Sequence, residues 1–145
     1  MASAQNEREL SFTPYQPAAE EEYMNDAQLA HFRKILLDWK EQLISEAEST
    51  KSYIQDESTA MPDINDRATQ EEEFALALRT RDRERKLIRK IDKSIAEIDS
   101  GDYGFCETCG VEIGLRRLEA RPTATQCIDC KTLSEIKEKQ AWGHA

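Results

Sequence analysis

The sequence predicts a mainly α protein, in which a long antiparallel coiled-coil hairpin joins a small globular part with a four-cysteine finger and a C-terminal helix. Three observations predict it. Two stretches carry apolar residues at alternating steps of three and four, one on each side of a proline-containing turn. Five Gly and four Pro in 145 residues are too few turn residues for a sandwich or a barrel. The four cysteines fall in two close pairs in the C-terminal third.

Residues 1–24 hold two prolines, the run Glu20-Glu21-Glu22 and no apolar period, so they are expected to form a mobile or loosely draped arm. From Asn25, apolar residues at Leu29, Phe32, Leu36, Trp39 and Leu43 draw one buried helical stripe, which Asn25 or Asp26 can cap. A second stripe reads Ile88, Ile91, Ile95 and Ile98 and stops before Gly101, which suits the residue just past a helix end. Between them lies Met61-Pro62-Asp63-Ile64-Asn65-Asp66, where Pro62 cannot continue a helix and the Asp and Asn residues favour a turn. Residues 25–100 are therefore a hairpin, with its tip at about 61–68 and its base in the globular part. The register has an internal check. Leu29 with Ile98, Phe32 with Ile95, Leu36 with Ile91 and Trp39 with Ile88 all have residue numbers adding to 127, whose midpoint falls in the turn. At 1.5 Å per residue, an arm of about 33 residues would project by about 50 Å.

Continued outward, the same rule pairs Leu43 with Glu84, Glu46 with Arg81, Thr50 with Ala77 and Tyr53 with Phe74. The seam thus turns polar in its middle, where a Glu46–Arg81 pair would offset part of the cost. Charge is segregated along the same axis. Residues 46–73 contain nine acids and two bases, whereas residues 79–93 contain eight bases and three acids. Solvated helix faces explain single charges but not opposite blocks at opposite ends.

The pairs Cys106-Glu-Thr-Cys109 and Cys127-Ile-Asp-Cys130 are separated by 17 residues, and no other cysteine occurs. Two residues between ligands let the chain turn back so that both thiolates reach one tetrahedral ion, with Gly104 and Gly110 supplying backbone freedom. The spacing points to one structural zinc held by all four, in a module at residues 101–131. Disulfides fit poorly without a secretory signal, and a dithiol redox site would need a βαβ setting. Residues 132–145 are expected to form a C-terminal helix and tail, with Ile128, Leu133, Ile136 and Gln140 on a face that packs on the zinc knuckles or the hairpin base. Arg116, Arg117, Arg121 and Lys131 extend the cationic base of the arm, which could hold a phosphate-rich ligand or an acidic protein surface.

A formal charge of −9 and a pI near 4.8 argue against duplex DNA and for a protein partner. No apolar run approaches the roughly 20 residues of a membrane span, so a cytoplasmic protein is expected, and a hairpin that satisfies its own seam needs no partner helix, so a monomer is expected. Asp63 and Asp66 at the turn can cap the second helix, or be carried by the stalk into another molecule's cavity, near a bound Mg²⁺ or a basic loop. Nothing beside them offers a nucleophile, a buried base or a pocket, so no enzyme is expected. His31 and His144 read as surface or packing residues.

Several motifs together resemble a known family. They are Tyr23-Met24-Asn25, Pro62-Asp63 with Asp66-Arg67-Ala68, Gln70-Glu-Glu-Glu-Phe74, Arg81-Asp-Arg-Glu-Arg-Lys-Leu87, Gly110-Val-Glu-Ile-Gly114, Arg116-Arg-Leu-Glu-Ala-Arg-Pro-Thr123 and Cys127-Ile-Asp-Cys-Lys131. From about Glu21 to Gln140 the chain resembles the DksA/TraR family of bacterial transcription regulators. The resemblance implies a coiled-coil arm inserted into the secondary channel of RNA polymerase, altering open-complex stability at stringent-response promoters together with guanosine tetraphosphate and without DNA contact. It makes Asp63, Asp66 and Ala68 the effector tip, places Arg83 and Leu87 at the polymerase contact, and makes Lys90, Arg121 and Lys131 nucleotide-facing. The tip departs from the family pattern, with Ile64-Asn65 in place of a Pro-Val pair. Two rival functions are a transcript-cleavage factor acting in the same channel and a zinc-ribbon nucleic-acid binder using Arg116, Arg117 and Arg121. The cysteine site discriminates against the first, and the acidic pI against the second.

Overall fold

The computed structural model describes residues 12–57 and 64–143. Four helices follow in order: α1 (Asp26–Glu57), α2 (Ile64–Ser100), α3 (Leu115–Ala120) and α4 (Ile128–Gly143). Among the described residues the one isolated β-bridge is antiparallel, Phe105 to Glu112.

The ends of the long helices are set by local chemistry. Asn25 Oδ1 accepts the Gln28 N–H at 2.9 Å, while Gln28 Oε1 accepts the Met24 N–H at 2.7 Å. This reciprocal cap satisfies two amide donors at the start of α1 and explains how Gln28 can be buried. At the end of α2, Gly101 has φ +87°, the Asp102 N–H reaches the Glu97 carbonyl at 2.9 Å and the Gly101 N–H reaches that of Ile98 at 3.4 Å. That double bond is a Schellman closure, and it needs the positive φ that glycine adopts without strain.

The chain divides into two compact units, one of Leu37–Lys93 and one drawn from Met1–Leu36 with Ser94–Ala145. In the first, α1 and α2 run antiparallel. Lys40 Nζ meets Asp92 at 2.6 Å, and the Tyr53 hydroxyl donates to Glu73 at 2.9 Å. Leu43 and Ile91 are buried, and Trp39, Thr50, Tyr53, Phe74, Ala77 and Ile88 are half-buried, so the apolar stripe lies where the periodicity puts it.

The middle of the seam differs from expectation. Glu46 is exposed and makes no ion pair with Arg81 among the described residues; Ala47 turns inward instead. The buried charge is Glu84, 7% exposed, with Oε2 lacking any hydrogen-bond partner. Burial, then the Glu46 carboxylate nearby, pushes the Glu84 carboxyl above its ordinary range, and the Thr50 hydroxyl offsets this only partly. The seam therefore holds an acid beside an acid. The reason is geometric: Leu43 and Thr50 keep their places on the inner face, and the step between them falls at Ala47, a methyl group, instead of at the larger Glu46.

The second unit is built on Phe32, Leu36, Ile98, Tyr103, Ile113 and Leu118, all buried. Phe32 and Tyr103 meet with ring centroids 5.7 Å apart, and the Tyr103 hydroxyl donates to the Pro122 carbonyl at 2.8 Å. Arg33 pairs with Asp99 across the two helices. Residues 12–24, expected as a loose arm, make specific contacts here. The Tyr15 N–H donates to Glu119 Oε2 at 2.7 Å, and the Tyr15 hydroxyl bonds to Glu21. His31 Nε2 lies 3.1 Å from the same Glu119 oxygen, with the Phe12, Tyr15 and Phe32 rings packed around the imidazole. Glu119 is thus a buried carboxylate with satisfied oxygens.

Candidate metal centre

Both cysteine pairs sit in turns that aim sulfur inward. In the first, the Cys106 N–H bonds the Val111 carbonyl at 2.8 Å and the Gly110 N–H returns to the Cys106 carbonyl at 2.9 Å. Gly110 closes this knuckle at φ +80°, and Gly104 opens it at φ +93°. The Thr108 and Cys109 amides point at Cys106 Sγ, at 3.4 and 3.5 Å. The second pair lies differently from expectation, because α4 starts at Ile128 and Cys130 falls inside its first turn. Cys127 occupies the capping position: its carbonyl accepts from Lys131 N at 3.0 Å and its Sγ accepts from Cys130 N at 3.5 Å. Sulfur here does what a Ser or Asp oxygen does at other helix starts, at the positive end of the helix dipole.

The knuckles are tied together by backbone and side chain. The Glu107 N–H donates to the Thr125 carbonyl at 2.8 Å, Arg117 Nε to the Gln126 carbonyl at 3.1 Å, and Gln126 Nε2 to Thr108 Oγ1 at 3.1 Å. All four Sγ atoms lie within 4.8 Å of one another, and Cys109 Sγ is 3.7 Å from Cys127 Sγ. Four sulfurs at about 2.3 Å from a central tetrahedral zinc would stand about 3.8 Å apart. The donor set and spacing fit zinc.

The thiols are electrostatically unequal. Burial acts to raise Cys106, but backbone N–H groups of Cys109, Cys127 and Thr108 outweigh it and bring the thiol down to about 5. Its neighbour Cys130 is pushed up, chiefly by hydrogen bonding with Cys127 and Cys109. Four crowded thiols cannot all ionise unless a cation balances them, which is the condition a divalent metal meets.

The remaining predicted site residues fall in several places. Asp63 and the turn with Pro62 lie outside the described residues, as does the side chain of Asp66, whose backbone belongs to α2. Ala68, Arg83 and Lys90 are exposed on α2, and Leu87 is half-buried. Arg121 is exposed at the end of α3, and Lys131 is half-buried on α4. Of the predicted cationic cluster, Arg117 is committed to the second knuckle and Arg116 lies 3.5 Å from Glu119. The expected apolar face of α4 is open to solvent, with Ile128, Leu133 and Ile136 exposed. Sequence reasoning missed Tyr23, Tyr103 and Glu119, whose partners are 19 to 104 residues away in the chain.

A helical hairpin continuous with a closed four-thiolate site defines a zinc-finger protein whose metal is structural, since four protein ligands leave no open coordination position. Residues 28–98 match the family described as "DnaK suppressor protein DksA, N-terminal domain", and residues 101–135 match "Prokaryotic dksA/traR C4-type zinc finger". The chain belongs to the DksA/TraR family. It is 62% identical over 130 residues to the "RNA polymerase-binding transcription factor DksA" of Escherichia coli strain K12, covering 90% of this chain and 86% of that protein. It is 61% identical to the protein of the same description from Haemophilus influenzae, covering 90% of each. The solved structure of transcription factor DksA2 from Pseudomonas aeruginosa superposes with a TM-score of 0.78 at 37% identity, covering 94% of this chain and 98% of the other.

Proposed function

We propose that this protein is a non-enzymatic, cytoplasmic transcription regulator that binds bacterial RNA polymerase directly. The observation that carries the reading is 62% identity, over 90% of the chain, to a protein described as an RNA polymerase-binding transcription factor. The hairpin enters the secondary channel with Asp63, Asp66 and Ala68 at its tip. Arg83 and Leu87 touch polymerase, and Lys90, Arg121 and Lys131 face guanosine tetraphosphate at the interface. Support for a protein rather than a DNA target comes from the net charge of −9 and from Arg117 being engaged at the second knuckle. Support for a monomer comes from the seam, whose Leu43 and Ile91 are buried within the chain itself.

The test is competitive binding of the full chain to bacterial RNA polymerase, scored with open-complex lifetime at a ribosomal promoter. Binding accompanied by a lifetime change that guanosine tetraphosphate strengthens is the expected result. Absence of binding would overturn the proposal.

A further inference from the structure

The Tyr23 hydroxyl sits between the two ends of the first zinc knuckle. It donates to the Gly104 carbonyl at 2.8 Å and accepts the Gly114 N–H at 2.9 Å. Those glycines bracket the hairpin, whose rungs are the Gly104 carbonyl with Ile113 N at 2.9 Å and Cys106 N with the Val111 carbonyl at 2.8 Å. The Tyr23 ring stands edge-on to Phe105, with centroids 5.5 Å apart. Met24 closes over Gly104 so tightly that a Cβ there would fall 2.8 Å from Met24 Cγ. At its other end the same segment is held through Tyr15 to Glu119, away from the knuckle.

We propose that Tyr23 is a positioning residue for the zinc knuckle, and that through it residues 12–24 stay docked only while the metal is bound. The Gly104–Gly114 hairpin is one short turn with a single β-bridge, too small to hold its shape without its ion. When the ion leaves, the paired positions of Gly104 and Gly114 are lost together, and Tyr23 loses both partners at once. By the same linkage, the docked hydroxyl strengthens binding of the metal, which is read as slower loss of the ion when its rate of capture is unchanged.

The test follows zinc release from the full chain with a chromogenic chelator, together with hydrogen exchange of residues 12–24. Zinc content is measured first. In the wild type, exchange in 12–24 should rise in step with zinc removal and fall on its return. Tyr23→Phe keeps the ring on Phe105 but orphans the Gly114 N–H. Both hydroxyl bonds are lost, to the Gly104 carbonyl and from the Gly114 N–H, so zinc should be released roughly five- to hundredfold faster, with helical circular dichroism unchanged. Tyr15→Phe removes a hydroxyl bond of the same kind, to Glu21 within the segment, keeps the backbone bond to Glu119, and should leave zinc release at the wild-type rate. Unchanged exchange on zinc removal, a wild-type release rate in Tyr23→Phe, or equal acceleration in Tyr15→Phe would each overturn the coupling. A chain that takes up no zinc would overturn the metal assignment and the coupling together.

Discussion

Replacing Glu84 by Met should stabilise the Leu37–Lys93 unit at neutral pH. Glu84 is buried at 7% exposure, has an unpartnered Oε2 and lies near the Glu46 carboxylate. Met has nearly the same length and volume and no oxygen to desolvate. An unsatisfied buried polar group costs about 1–3 kcal/mol, more when charged, and removing an uncompensated buried acid from a helix seam relieves that cost. A two-helix shaft is thin and water stays close, so the lower half of the range applies, about 1–2 kcal/mol. That corresponds to roughly 5–30-fold slower hydrogen exchange in segments 43–53 and 77–91, measured by mass spectrometry. The pH dependence has a definite sign. The folded carboxyl is held above its ordinary value near 4.5, so the folded state binds more protons than the unfolded one as pH falls. The wild type therefore gains stability between neutral pH and about 4.5, and the advantage of Glu84→Met shrinks over that window. Equal or faster exchange in Glu84→Met at neutral pH, or an advantage independent of pH, would refute the reasoning.

Removing a ligand by Cys109→Ser should reduce zinc from near one per chain to well below it and make residues 101–143 protease-sensitive, while exchange in 43–53 stays at the wild-type level. Tyr103→Phe leaves the ring in place but strips the Pro122 carbonyl of its buried donor. It should cost about 1–3 kcal/mol, read as a lowered thermal midpoint of the holoprotein. Asp66→Asn should leave polymerase binding within about twofold and abolish the change in open-complex lifetime; equal loss of both would make the tip an anchor instead of an effector.

The parts legible in the sequence share one property: their signal is local and repeats. Leu36, Leu43 and Ile98 announce a buried stripe by spacing alone, Gly101 marks a helix end, and two Cys-x-x-Cys pairs mark a metal site. What was missed rests on single contacts between distant residues. Tyr15 and Glu119 are 104 positions apart, and Tyr23 and Gly114 are 91 apart, so no periodicity in residues 12–24 could reveal that they dock. The seam rule did place Glu84 opposite Leu43, but it gave Glu46 to Arg81; with Ala47 on the inner face instead, the Glu46 carboxylate is left near Glu84. Arg117 looked like part of a cationic surface because sequence gives its charge and not its direction; in the fold, its Nε braces the second knuckle.

Cys127 serves two masters, and this ties the last helix to the metal site. Starting a helix fixes several residues for one hydrogen bond, so a 16-residue helix such as α4, with its apolar face open to solvent, has little to begin it in isolation. Its cap is the Cys127 sulfur, which accepts the Cys130 N–H at 3.5 Å and is also one of the four sulfurs that would hold the ion. One sulfur thus links metal binding to the first turn of α4. Removal of zinc should therefore loosen the start of α4 while the Leu37–Lys93 unit, which holds none of the four sulfurs, keeps its packing.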